Sequence, residues 1–349
     1  MNKRKVTLAA AAAGVVTGVV GLGALAMPAG AGQPPNLPEV DAQSLVQSVL
    51  TAKPGAFGGT VEAVNSLGLP AISGIPQLAD GTHSARMWSD GEGRLRLSLP
   101  DGQSEQTIVD DGTTTWSWDS RRNEVGKLEH GQNSEPQTSK ADPVATAREL
   151  VAEIQKSSDV KVDGTARVAN RAAYELVLTP KPTEKTLLRE VRVAVDSEMR
   201  IPLRAAIYTN GTNAPAAQVG FSDMNVGPQD PALFKFTPAP GSKVVEGDKE
   251  QAKEHVDTVD QAFTSAKPQI FGEGWDTVIG VRVPAEALGQ VPAEGQGLIE
   301  KFTKQVNGAW GSGKLFTTKV GNILLADDGR VVAGAVPEQV LFDTIGQVK

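Results

Sequence analysis

The chain has 349 residues, 41 acidic against 34 basic side chains, a net charge of −7 and no cysteine. Those counts exclude a disulfide framework, a thiolate metal site and a cysteine nucleophile, and an acidic chain with nine Phe, five Trp and two Tyr offers a nucleic acid little to bind. The length suffices for two domains with separate cores.

Asn2-Lys3-Arg4-Lys5 is a positive start, and Val6 to Met27 is a run of Ala, Val, Gly and Leu interrupted by Thr7 and Thr17. Ala29-Gly30-Ala31 then supplies the small residues of a cleavage site. Residues 1–31 are read as an export signal, which places the protein on the extracytoplasmic face of the cell envelope or outside the cell. The run is also long enough to span a bilayer, so an uncleaved N-terminal anchor is the alternative; its Ala/Gly content and Pro28 favour removal.

Residues 32–241 form the expected first domain. After the stiff leader Gln33-Pro34-Pro35-Asn36-Leu37-Pro38, a helix over Asp41 to Ala52 places Leu45, Val46, Val49 and Leu50 on one stripe. Asp80-Gly81, Asp90-Gly91, Asp101-Gly102 and Asp111-Gly112 follow at intervals of ten or eleven residues. Asp-Gly accepts the positive φ of hairpin turns, so the spacing predicts an antiparallel meander. Within it Leu95, Leu97 and Leu99 alternate with Arg94, Arg96 and Ser98, and Trp116 and Trp118 alternate with hydroxyl residues. Asp142-Pro143 reads as an N-cap and first helical residue, with Val144, Ala147, Leu150, Val151 and Ile154 as the apolar stripe of a helix ending near Ser157.

A second meander follows, with apolar alternation at Tyr174/Leu176/Leu178, Val191/Val193/Val195, Ile201/Leu203/Ala205/Ile207 and Ala217/Val219/Phe221 and a turn at Asn210-Gly211. Such a sheet has one oily face and too many strands to stay flat. The expected fold is therefore α+β: a half-open antiparallel β-barrel with a helical lid, followed by a small α+β C-terminal domain.

The concave face is assigned Leu95, Leu97, Leu99, Trp116, Trp118, Tyr174, Leu176, Leu178, Val191, Val193, Ile201, Leu203 and Ile207, and the lid Leu45, Val49, Leu150 and Ile154. These residues either line a cavity for an acylated ligand or fill an ordinary core; the alternation is the same in both cases. Burying a methylene is worth ~0.8 kcal/mol, so a long acyl chain gains on the order of 10 kcal/mol before ordering losses, with no catalytic group needed.

Asp230 to Gly241 reads as a short edge strand between prolines, 242–250 as a charged linker, and 251–349 as a small α+β domain. The second domain is expected to carry a helix with Val256, Val259 and Phe263, a strand over Thr277 to Val283, and a helix with Leu298, Ile299, Phe302 and Val306. A strand pair turning at Asp328-Gly329 and a last helix with Val340, Leu341 and Ile345 complete it.

Catalytic and cofactor signals are weak. Gly308 to Lys314 nearly spells a phosphate loop, but Leu315 replaces the hydroxyl that would ligate magnesium, so a tight turn is the better reading. His83, His130 and His255 show no metal-ligand spacing, and Asp110-Asp111 and Asp327-Asp328 sit at turns, where Asp serves the backbone. No G-x-S-x-G element is present. Asn210-Gly211-Thr212 fits a glycosylation sequon and, better, a turn. The expectation is a binding protein, not an enzyme, with no cofactor, no metal and no nucleic-acid partner.

Several stretches together resemble a known group. Ile108 to Asp119 is similar to the "SDG-x-x-x-W-x-Y" hairpin of the LolA-like lipoprotein-carrier superfamily (LolA-, LppX- and RseB-like envelope lipid-binding proteins), and Phe57-Gly58-Gly59-Thr60-Val61 to its opening strand. Tyr174 to Lys181, Val195-Asp196, Ile201-Pro202-Leu203 and Asp230 to Phe236 follow in the family's order, so the resemblance spans roughly residues 42 to 240. It implies an unclosed barrel whose helices cap an apolar cavity for acyl chains, and a carrier of a lipid or lipoprotein. The same superfamily contains RseB-type regulators with a smaller C-terminal domain. They imply the alternative: a sensor of lipids or lipoproteins that binds a membrane-anchored anti-sigma partner, here through residues 251–349. The carriers' Arg-Pro pair after the second strand is replaced by Ser89-Asp90-Gly91, so its lid-holding role does not pass to Arg94 or Arg96.

Overall fold

The computed structural model describes residues 34–68, 80–130, 152–246, 268–283 and 301–349. The expected signal segment lies outside them, as do Val144, Ala147, Leu150 and Val151 of the lid helix and Val256, Val259, Phe263, Leu298 and Ile299 of the C-terminal helices.

Helix α1 (Ala42–Leu50) begins where Asp41 accepts hydrogen bonds from the Ser44 amide (2.9 Å) and hydroxyl (2.6 Å). Leu45 is completely buried, and Ala42, Val46 and Val49 pack beside it. Leu50 departs from the expected stripe and is exposed, because five residues of helix turn it well away from Leu45.

The first sheet has six antiparallel strands in the order β1-β11-β10-β9-β8-β7, comprising β1 (Phe57–Asn65), β7 (Ser158–Val168), β8 (Arg171–Pro180), β9 (Leu188–Asp196), β10 (Pro202–Thr209) and β11 (Ala217–Val226). The second runs β12-β6-β5-β4-β3-β2, with β2 (Gly81–Ser89), β3 (Leu95–Asp101), β4 (Ser104–Asp110), β5 (Thr114–Asp119), β6 (Glu124–Glu129) and β12 (Lys243–Glu246). The Asp-Gly pairs act as expected at the β3–β4 and β4–β5 connections. Gly102 and Gly112 have φ of 60° and 90°, and the Asp111 carboxylate accepts the amides of Thr113 and Thr114.

Two expectations at the end of this unit are corrected. Pro231–Phe234 is a 3-10 turn capped by Asp230, whose carboxylate accepts the Ala232 amide at 2.8 Å, and not an edge strand. Lys243–Glu246, expected within a linker, is β12, which adds in parallel to β6.

The two sheets meet where β1 runs beside β2. A Cβ on Gly58 would stand 2.6 Å from Cδ1 of Trp88, so the side of β1 that carries Gly58 continues into the side of β2 that carries Trp88. Among the described residues β7 and β12 each have one ladder partner, and the sheets do not close into a barrel.

The third sheet is antiparallel, in the order β13-β14-β18-β17-β16-β15: β13 (Gln269–Phe271), β14 (Val278–Arg282), β15 (Thr303–Gly308), β16 (Gly311–Thr317), β17 (Asn322–Ala326) and β18 (Arg330–Gly334). Helix α2 (Glu338–Ile345) lays Leu341 and Ile345 on Val278, Leu315, Leu324 and Val332, all nearly or wholly buried. The near-phosphate-loop sequence is the tight hairpin between β15 and β16, where Gly308 pairs with Gly311. Val306, expected in a helix, lies instead on β15: pairing with β16 supplies a ladder that overrides the apolar spacing.

Candidate functional site

The ladder registers assemble the apolar positions into rows. Val162, Leu176, Val193, Ala205, Val219 and Ala63 stand side by side across all six strands of the first sheet. The row one step over on the other face reads Lys161, Val177, Arg192, Ala206, Gln218 and Val64. One side is greasy from edge to edge, and the other mixes charge with small residues. On that polar side Glu175 pairs with Arg204 (2.5 Å) and Arg192 (3.4 Å).

Part of the greasy side is already covered. Leu45 of α1 packs on Tyr174, Leu176 and Val195, with Leu178, Val193 and Val49 around them. At the next turn of the strands Leu188, Val191 and Ile207 form a second cluster that receives Trp275, Val320 and Ala335 from the third sheet and its loops. Hydrogen bonds fix that contact. The Trp275 indole N–H donates to Ser158 Oγ (2.6 Å), its amide to Glu184 Oε2 (2.8 Å), and Thr186 Oγ1 to the Ala335 carbonyl (2.7 Å). Leu203 and Ile201 depart from the face assigned to them: at the bulge between Pro202 and Arg204 they join a third cluster with Val168, Ala173 and Ala194, which stand on the Glu175 side of the sheet.

The second sheet divides the remaining sequence-assigned residues. Leu97 stands between Met87 and Ile108, and Ile108 pairs with Ser117. Leu95 and Leu99 share that side. Trp116 pairs with Val109 and Trp118 with Thr107, on the opposite side, together with Arg96 and Trp88. The assignment of leucines and tryptophans to one concave face is therefore corrected. Trp116 packs on Phe236 at 5.6 Å between ring centres and donates its indole N–H to Asp111 (3.1 Å), while the neighbouring Phe234 is buried. The Trp88 side adjoins Gly58, so the Leu97 side adjoins Phe57, which meets Phe221 edge-on at 6.0 Å.

The greasy face is thus continuous over both sheets. On the second sheet Leu95, Leu97, Leu99, Met87 and Leu128 are half-buried, and Ile108 is 36% exposed. Of the lid residues, Leu45 and Val49 are seated, Ile154 is half-buried in the helical stretch 152–157, and Leu150 lies outside the described residues. Sequence reasoning missed Met87, Ile108 and Leu128, which share the leucines' side.

The titratable groups perform structural work. Asp111 has its pKa lowered to about 2; burial opposes the shift, and hydrogen bonds from Thr113, Thr114 and Trp116 outweigh it. His130 Nε2 lies 2.9 Å from Thr115 Oγ1 and 3.5 Å from Asp110 Oδ2. One nitrogen facing both groups cannot relay a proton from hydroxyl to carboxylate, which requires the two ring nitrogens in series. Among the described residues no group of three His, Cys, Asp or Glu side chains converges on a metal position, and no helix is long and apolar enough to cross a membrane.

The chain resembles a number of solved structures, among them these three. MucB in complex with MucA(peri) aligns with a TM-score of 0.44 at 16% identity, covering 88% of this chain and 97% of that one. The Pseudomonas aeruginosa MucA/MucB complex gives 0.41 at 16% identity over 86% and 94%. A LolA superfamily protein from Nitrosomonas europaea gives 0.23 at 15% identity over 57% and 99%. No curated protein matches in sequence. The profile of the MucB/RseB N-terminal domain matches residues 77–251, half of the chain and the stretch that holds β2 to β12, and the chain belongs to the MucB/RseB family.

Proposed function

We propose that the protein is an exported, non-enzymatic binder of acyl chains, from a lipid or the lipid moiety of a lipoprotein, that acts as a carrier outside the cytoplasmic membrane. The observation that carries this reading is Ile108, 36% exposed in the row with Leu97 and Met87, on the face that α1 and Trp275 fill farther along. A plain core would bury that row. The acyl chain lies along Leu95, Leu97, Leu99 and Ile108 and extends toward Phe57. Residues 152–157 belong to the lid, with Ile154 half-buried. Membership of the MucB/RseB family supports binding over catalysis.

The test is native mass spectrometry of the mildly purified protein, with organic extraction of what it holds. A bound lipid is expected at a stoichiometry near one. A protein that carries none and fails to take up a fluorescent fatty acid sinks the carrier reading.

A second reading has its own observation. Trp275 and Ala335 pack in the same cluster as Val191 and Ile207, so the third sheet feels the state of the apolar face. In this reading lipid is the signal, and residues 251–349 hold a membrane-anchored partner, as MucB is found with MucA(peri). Capture of one membrane protein by the full chain, strengthened or weakened by added lipid, selects the regulator; lipid transfer between vesicles without such capture selects the carrier.

A further inference from the structure

The turn between β9 and β10 is built more firmly than a turn requires. Asp196 is completely buried, and its Oδ1 accepts the amides of Glu198 (2.9 Å) and Met199 (2.7 Å). Its amide donates to the Ile201 carbonyl (2.9 Å), and Arg171 pairs with its carboxylate. What this frame presents is Arg200, held at φ 57° in the left-handed region that a long side chain seldom occupies. The guanidinium lies over the ring of Tyr174, 5.3 Å from its centre, at the edge of the α1 cluster. Its Nη1 is buried and has no hydrogen-bond partner among the described residues. The nearby carboxylates are engaged elsewhere: Asp196 and Glu198 both pair with Arg171.

A buried guanidinium nitrogen without an acceptor is costly, and an anion that reaches it gains a charge-assisted, geometrically directed bond. Arg200 also stands at the start of a greasy path. Tyr174 shares its side of β8 with Leu176, the row Leu176, Val193, Ala205, Val219 and Ala63 crosses to β1, and Phe57 on that side of β1 shares it with Leu97. At a strand spacing of about 4.8 Å, β3 lies five strands, roughly 24 Å, from β9 along the curled sheet, a distance suited to a long acyl chain.

We infer that Arg200 is the head-group site of the apolar face and selects amphiphiles with an anionic head, a carboxylate or a phosphate, over neutral ones with the same chain. The inference rests on the acyl-binding reading above. It adds which lipid class is held, and in which orientation.

The test titrates the delipidated full chain with hexadecanoate, hexadecyl phosphate and hexadecanol, below their critical micelle concentrations. At least one of the two anions is expected to bind ten-fold or more tighter than the alcohol, and the stronger anion tells a carboxylate ligand from a phosphate one. Arg200→Gln is expected to remove the preference and leave hexadecanol affinity unchanged. Equal affinity for all three in the wild-type protein overturns the head-group site while leaving acyl binding intact, and needs no variant to fold. Retention of the preference by a folded Arg200→Gln protein overturns it too. Binding of none of the three overturns this inference together with the reading beneath it.

Discussion

Arg171 grips Asp196 with two nitrogens, Nη2 at 2.9 Å from Oδ1 and Nε on Oδ2, inside a turn where Asp196 has no exposure to solvent. Burial alone would push this carboxyl group up. The bond from Arg171 and the amides of Met199 and Glu198 outweigh it and hold the pKa below the ordinary 3.8. A carboxyl group depressed by folding contributes its full stability above its unfolded pKa and loses it as pH falls toward the folded one. Asp196→Asn is expected to cost about 3 kcal/mol at pH 7, because Arg171, itself largely enclosed, loses its buried anion and keeps only the exposed Glu198. The gap between wild type and variant should narrow below about pH 4. Urea denaturation at pH 7 and pH 3 measures both, and an unchanged gap would show that charge plays no part in holding the turn.

Trp275 ties the third sheet to the first through its ring and both of its N–H groups. The approach is close: Gly274 has φ 79°, and a Cβ there would come within 2.6 Å of Ser157 Oγ. Trp275→Ala removes the ring and leaves Ser158 Oγ without its donor, a loss of about 3 kcal/mol if the two units unfold together. The expected result is a split of one denaturation transition into two. Faster amide exchange should appear at Leu187, whose N–H bonds the Ala335 carbonyl. A single, unshifted transition would mean that the units hold together without this contact.

Much of the fold was legible because strands and turns announce themselves locally. Alternation along β8 and β9 separates Tyr174, Leu176 and Val193 from Glu175 and Arg192, and the ladder keeps them apart as the sequence suggests. Which side of one strand joins which side of the next is a different matter, since it depends on register. The two-residue turn of Gly102 and Gln103 pairs Leu97 with Ile108, and β4 then pairs Ile108 with Ser117, so Trp116 and Trp118 face away. Counting through the turn would have shown this, but β4 is apolar on both sides, with Ile108 on one and Val109 on the other, and hid it. Val306 misled in the opposite way, because its spacing from Phe302 fits a helix while its hairpin partner β16 decides for a strand. Arg200 carried no signal at all, since its importance lies in the partners its neighbours take from it.

The two sides of the second sheet can be separated by substitution. Ile108 is 36% exposed on the greasy side, so Ile108→Lys removes little buried surface and is expected to change stability by under about 1 kcal/mol. The ammonium it places beside Leu97 would have to be desolvated by an acyl chain lying there, so affinity for hexadecanoate should fall at least ten-fold. Trp116 packs on Phe236 behind the sheet, with Lys127 over its ring at 5.9 Å. Trp116→Ala should therefore lower stability by about 3 kcal/mol and leave the affinity of the folded fraction unchanged. Denaturation midpoints and fatty-acid titrations on the two variants form a crossed pair. If Trp116→Ala weakened binding while Ile108→Lys did not, the ligand would lie on the tryptophan side, and the acyl chain would have to be sought against Phe236.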